Sequence, residues 1–247
     1  MQNTVLNRLN IEALSIGYQN QNPVFSDIDL HLSGNKFVAV LGLNGIGKST
    51  FLKTIAKLIR PLAGSVKINE KDITSYSAHE ISKLISIVLT EKINFGNFTV
   101  RETVSLGRYP FTNWLGLLSA EDRTLVEHAM KAVEISHLAN KNVNEISDGE
   151  KQKTLVARAL AQDTPIIILD EPTAFLDVKN RMELMKKLQT LCKNSGKMII
   201  TSTHDLHLAI KFSDKLIIFG ENNSLYYGTA QELSKKGTIS RVFGIEV

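Results

Sequence analysis

KFVAVLG (36–42), GLNGIGKST (42–50) and STFLKTIAKLI (49–59) follow one another without a break. The first is a short apolar run, consistent with a buried parallel strand. The last has apolar residues at helical spacing and is expected to run to Arg60-Pro61. Between them, Gly42 to Ser49 fits GxxxxGK(S/T). A strand that turns on glycines directly into a helix commits the chain to an α/β core, and those flanks give the motif its meaning. The glycines let the loop wrap phosphates with backbone N–H groups. Lys48 is expected to reach the β- and γ-phosphates, and Ser49 to ligate Mg²⁺.

The rest of the chain alternates in the same way. LNIEALSIGY and VFSDIDLHLSG carry alternating apolar positions, so residues 9–40 are β-rich. GSVKIN (64–69) and SIVL (86–89) are further strands, with a short helix at 77–85 between them. SAEDRTLVEHAMKAVEI (119–135) is a helix, capped by Ser119 with Asp122. TPIIILDEP (164–172) and KMIITSTHD (197–205) are apolar strands, and RMELMKKLQTLCKNSG is an amphipathic helix stopped by Gly196. KLIIFGENNSLYYG (215–228) is a hairpin turning at 221–223. Strands alternating with helices give an α/β core of parallel strands, and residues from about 90 to 155 form a mostly helical insertion.

Bulk properties exclude several classes. A chain of 247 residues with 43% hydrophobic and 22% charged residues can bury a core without staples. The single Cys192 offers no disulfide or metal framework and reads as a packed small hydrophobe. MQNTVLNRLN lacks the basic start and apolar run of a signal peptide, and no stretch approaches ~20 apolar residues. A net charge of +4 on scattered lysines makes no nucleic-acid footprint.

Three further stretches carry chemistry. Asp170 and Glu171 end the strand IIILDE, at the carboxyl edge where parallel sheets bind ligands. Asp170 is expected to bind Mg²⁺ and Glu171 to polarise an attacking water. His204 ends the next apolar strand, either hydrogen-bonding a γ-phosphate or serving as a satisfied structural residue. His207, three residues on, finds no third metal ligand. NEISDGEKQKTLVARAL (144–160) sets Ser147 and Gly149 at the mouth of a helix. That is an anion cradle, or a plain helix cap.

In their order along nearly the whole chain, GLNGIGKST, ISDGEKQ, IIILDEP, AFLD (174–177) and His204 resemble the ATP-binding cassette (ABC) ATPase family. The resemblance implies a P-loop NTPase, RecA-like, α/β core (about 1–89 and 156–247). It adds an N-terminal antiparallel β subdomain and an inserted helical subdomain (about 90–155). It implies ATP and Mg²⁺ bound by Gly42, Asn44, Gly45, Gly47, Lys48, Ser49, Thr50 and Asp170. Tyr18 would stack on adenine, though surface packing is the alternative. Glu171 and His204 would be catalytic. Two copies would stack head to tail, so that Ser147, Gly149 and Asp177 meet the partner's ATP. The usual signature is LSGGQ-like; here Ile146 replaces leucine and Asp148 the first glycine. Thr90 stands where the family has glutamine. Its side chain is shorter by two heavy atoms, so its hydroxyl is expected to reach Mg²⁺ only through a water. Slower or differently coupled hydrolysis follows.

One cassette without a membrane span is expected to need a second copy of itself and, if it transports, a separate multi-span permease. NFGNFTVRETVSLGRYPFTNWLG (94–116) puts Phe95, Phe98, Tyr109, Phe111 and Trp114 beside Arg101 and Arg108. Aromatic and arginine residues dominate interface anchors, so residues 91–116 are the expected docking surface. GRYPFTNWLG resembles the ATPases of iron–siderophore, haem and cobalamin uptake. The expectation is therefore an importer ATPase, peripheral on the cytoplasmic face of the cell membrane and indirectly served by a substrate-binding protein. The alternatives are an ABC ATPase for another solute or for export, and a soluble ABC ATPase without transport.

Overall fold

The structure is a computed structural model and describes residues 7–90 and 96–244. Its first part runs β1 (Arg8–Ile16), β2 (Phe25–Ser33), β3 (Phe37–Gly42), α1 (Lys48–Ile55), β4 (Ala63–Ile68), β5 (Lys71–Asp72), α2 (Ala78–Ser82) and β6 (Ile85–Val88). The middle holds α3 (Val100–Ser105), α4 (Ala120–Ala132) and α5 (Asp148–Ala161). The last part runs β7 (Ile166–Leu169), α6 (Val178–Ser195), β8 (Met198–Ser202), α7 (Leu206–Phe212), β9 (Lys215–Phe219), β10 (Leu225–Gly228), α8 (Ala230–Lys235) and α9 (Thr238–Phe243).

Two sheets organise these elements. One is antiparallel, in the order β2-β1-β4-β5; the other runs β10-β9-β3-β8-β7-β6 and is parallel except for β10. The helical subdomain lies between β6 and β7 in sequence, and α5 carries the chain back from it to β7.

Strand β7 explains why the layers stay together. It is apolar at every position, and its side chains alternate between two cores. Ile166 and Ile168 join the cluster under the antiparallel sheet with Phe51 and Ile11. Ile167 and Leu169 join the opposite cluster with Leu184 of α6 and Val156 of α5. A strand buried on both faces fixes the register of everything that follows it, including Asp170 and Glu171.

The ends of the elements follow local chemistry. Ser119 caps α4 by accepting the Asp122 N–H, and Asp122 reaches back to the Ser119 N–H at 2.9 Å. Gly196 ends α6 at φ 73. The β9–β10 turn closes through the Gly220 N–H donating to Ser224 O at 2.8 Å, with Asn222 and Asn223 at positive φ. Helix α1 is shorter than its apolar spacing predicts. It stops at Ile55 because Lys57 turns to φ 61 and sends its ammonium to the carbonyls of Tyr76 and Thr74.

Candidate functional site

The loop between β3 and α1 is shaped by close backbone approach. A Cβ on Gly42, at φ 150, would lie 2.8 Å from the Phe219 carbonyl oxygen. One on Gly47, at φ 113, would lie 2.8 Å from Val24 Cγ1. Only glycine fits either position. No side chain caps α1, so its first N–H groups face the loop's concavity. Asn44, Gly45, Gly47, Lys48, Ser49 and Thr50, with Glu171 opposite, line a cavity of about 170 Å³. That volume suits phosphate groups rather than a base. Lys48 is buried, and its Nζ donates to the carbonyls of Gly42 (2.9 Å) and Leu43 (3.1 Å). Burial pushes its pKa down, against the attraction of Glu171 and Asp170.

The two acids stand at the end of β7. Asp170 is 1% exposed and accepts the Ser202 hydroxyl on Oδ1 at 2.6 Å. Thr90 donates its hydroxyl to Asp170 Oδ2 at 3.3 Å. The threonine is thus engaged with the carboxylate itself, a role that its side-chain length alone did not suggest. Glu171 takes φ 47, which turns it off the strand direction, and its N–H donates to Ser202 Oγ at 2.9 Å. Strand alternation is thereby broken between the neighbours. His204 Nδ1 lies 3.7 Å from Glu171 Oε2, close but beyond a hydrogen bond. Asp205 caps α7 through the Leu208 N–H. Tyr18 is exposed in the turn after β1, and that loop returns at Val24, which packs on Gly47.

The second cradle is a separate cleft of about 470 Å³ that shares no lining residue with the first. Ser147 caps α5 and exchanges hydrogen bonds with Glu150, whose carboxyl is held low by the Ser147 hydroxyl. Gly149 is pressed against Phe175 and Leu176; a Cβ there would lie 3.2 Å from each. Asp177 caps α6 through Asn180, whose backbone N–H holds its carboxyl low. Ser147, Gly149 and Asp177 therefore line one cleft.

The expected docking stretch divides. Trp114 is 91% exposed and Tyr109 63%, with Phe98, Phe111, Leu115 and Leu117 also exposed. Phe95 lies outside the described residues. Arg101 pairs with Glu127 on the surface. Arg108 departs from the expectation. It is 6% exposed, bonds Asp122 at 2.8 Å, and donates to the carbonyls of Ala161 and Gln162. Asp122 is drawn inward by its capping role, and a buried carboxylate requires a cation. Arg108 is therefore an internal strut.

Two features escape the sequence reading. Ser202 joins both acids, and its only signal is the polar run Thr201–Thr203 buried at the end of an apolar strand. A groove of about 720 Å³ runs between the helical subdomain and the core, lined by residues of α2, β6 and α5 and of the segments that follow α1 and α3, which no motif links.

Comparison with known proteins agrees with this arrangement. The ABC transporter family profile matches residues 25–174. An ABC transporter ATP-binding protein of Methanocaldococcus jannaschii is 37% identical over 96% of this chain and 82% of its own length. The achromobactin transport ATP-binding protein of Dickeya dadantii is 34% identical over 94% of this chain and 86% of its own. The iron(3+)-hydroxamate import ATP-binding protein of Bacillus subtilis is 34% identical over 98% and 89%. Among solved structures, a metal-chelate type ABC transporter in an inward-facing conformation superposes with TM-score 0.82 at 24% identity, covering 97% of this chain and 90% of the other. A dimeric ATP-binding cassette in a post-hydrolysis state, bound to ADP and phosphate, gives 0.77 at 27% identity, covering 90% and 98%. The chain belongs to the ABC transporter family, as an ATP-binding ATPase subunit.

Proposed function

We propose that this subunit energises a membrane importer for an iron chelate. The observation that carries the nucleotide chemistry is the pair of separate anion clefts on one chain. Neither cleft alone can enclose ATP, and two copies stacked head to tail would bring the phosphate loop of one against Ser147, Gly149 and Asp177 of the other. Lys48 and the loop N–H groups, from Gly42 to Thr50, hold the phosphates; Tyr18 meets the base. The hydroxyl of Ser49 and the carboxylate of Asp170 are hard oxygen donors. No cluster of three metal-binding side chains occurs among the described residues. That donor set fits Mg²⁺, which takes few protein ligands and completes its shell with phosphate oxygens and water. Bound there, Mg²⁺ would offset charge on the phosphates. Glu171 accepts a proton from the attacking water, and His204 orients the γ-phosphate beside it.

The transport reading rests on the exposed aromatic surface from Phe98 to Trp114 beside the interdomain groove, and on the relatives that import iron(3+)-hydroxamate and transport achromobactin. No helix among the described residues is long and apolar enough to cross a membrane, so the membrane path would belong to a permease. The subunit then sits peripherally on the cytoplasmic face, and a substrate-binding protein would deliver the cargo. The test is purification of the tagged chain from detergent-solubilised native membranes. A polytopic permease in near-equal amount is expected, and its associated binding protein should take up ferric siderophores. Recovery of the chain without any permease overturns the transport reading.

A further inference from the structure

The groove between the subdomains contains a cation that finds no counter-charge among the described residues. Arg158 lies on α5, three residues before that helix ends, and lines the groove with Leu58, Tyr76, Ile81, Leu106 and Tyr109. It is half-buried. Among the described residues its guanidinium meets no carboxylate, no carbonyl and no aromatic ring. Its neighbours are all committed. Lys57 is held by the carbonyls of Thr74 and Tyr76, and Gln162 donates to those of Ser82 and Ile85. Gly107 closes the floor, with so little room that a Cβ would lie 2.2 Å from the Arg158 carbonyl oxygen. Among the described residues no aspartate or glutamate lines the groove, whereas Lys57 and Arg158 do. Burial alone pushes the Arg158 pKa down, with nothing opposing it. A guanidinium removed from water without a partner is a standing cost, which a carboxylate supplied from outside would offset.

We propose that Arg158 anchors a carboxylate on the permease segment that docks in this groove. Charge complementarity selects that occupant. The described residues give the groove apolar walls, a cationic floor and no acid, and its rim at Tyr109 continues into the exposed aromatic surface ending at Trp114. Its volume of about 720 Å³ accommodates roughly one or two turns of helix. An amphipathic segment with one acidic residue facing inward satisfies walls and floor together. The inference rests on the transport reading and adds to it the chemistry of the contact.

The test compares wild type with Arg158→Met, Arg158→Lys and Arg158→Glu, each purified in isolation and each captured from native membranes with its permease. In isolation, Arg158→Met should melt at or above the wild-type temperature and bind ATP equally, because it removes an uncompensated buried charge. In membranes, Arg158→Met and Arg158→Glu should recover about tenfold less permease per chain, or lower still, with Arg158→Lys between. Equal permease recovery in all four overturns the inference and leaves the transport reading intact. A lower melting temperature for Arg158→Met in isolation assigns the residue a structural role and also overturns it. No permease with the wild-type chain removes the transport reading and the inference with it.

Discussion

The Ser202 hydroxyl donates to Asp170 Oδ1 at 2.6 Å. Ser202 Oγ in turn accepts the Glu171 N–H at 2.9 Å, so one buried side chain fixes the carboxylate proposed to hold Mg²⁺ and the backbone of the proposed base. Ser202→Ala leaves both without that support. A hydrogen bond to a charged group contributes about 1.5–3 kcal/mol, so kcat should fall about 10- to 100-fold. The Mg²⁺ concentration for half-maximal ATP binding should rise as well, which a merely structural loss would not produce. An unchanged rate and Mg²⁺ midpoint would show that Asp170 needs no such restraint. Thr90→Val, losing a longer bond of 3.3 Å, should have the smaller effect of the two.

Glu171 stands at φ 47 across the phosphate cavity from Lys48. Glu171→Gln keeps its shape and removes its basicity. Hydrolysis should fall by about 10²–10⁴, the usual contribution of a general base, while ATP binding persists. With ATP and Mg²⁺ this variant should sediment as a dimer. A monomer under those conditions would contradict the head-to-tail arrangement of the two clefts.

The parts of the site that sequence conveys are those made by local backbone. A glycine loop before a helix, two acids ending an apolar strand and a serine opening a helix each act through neighbours in the chain. Ser202 and Asp170 are 32 residues apart, and their bond depends on β7 and β8 lying side by side. Arg108 has the composition of a surface anchor, since it sits among aromatic residues. Only its meeting with Asp122, 14 residues on, makes it internal. The fold is legible for a similar reason: period-two and helical apolar patterns are local. The early end of α1 is not, because it depends on carbonyls of Thr74 and Tyr76 that arrive from β5 onward.

Arg108 and Asp122 form a buried pair that ties the start of α4 to the end of α5. Burial raises the Asp122 pKa, but the bonds from Ser119 and Arg108 together hold it below the ordinary value. A carboxyl depressed on folding stabilises the protein above its unfolded pKa and loses that contribution as pH falls through the folded one. Arg108→Ala strands the carboxylate and should destabilise the chain by about 3–5 kcal/mol in urea unfolding. It should also weaken that pH dependence, since only the bonds from Ser119 would then oppose the effect of burial. A loss under 1 kcal/mol would mean that water replaces the guanidinium.

Cys192 offers a pH test that stands apart from the nucleotide site. It is fully buried on α6, with Sγ 3.2 Å from the Lys197 carbonyl oxygen. Burial first, and then Asp214, push its thiol from 9.0 up to about 11. A pKa raised on folding means that the native state holds the proton longer. The thiol's contribution to stability is therefore complete below pH 9 and is lost as pH rises toward 11. At 1.36 kcal/mol per unit, the loss across that window is at most about 3 kcal/mol. Cys192→Ala lowers stability at every pH by leaving a small cavity, so the slope is the informative quantity. Urea unfolding at intervals from pH 8 to 10.5 should give a steeper decline for wild type than for Cys192→Ala. Parallel declines would mean that the thiol titrates alike in both states, and rapid alkylation of the native protein at pH 8 would point the same way.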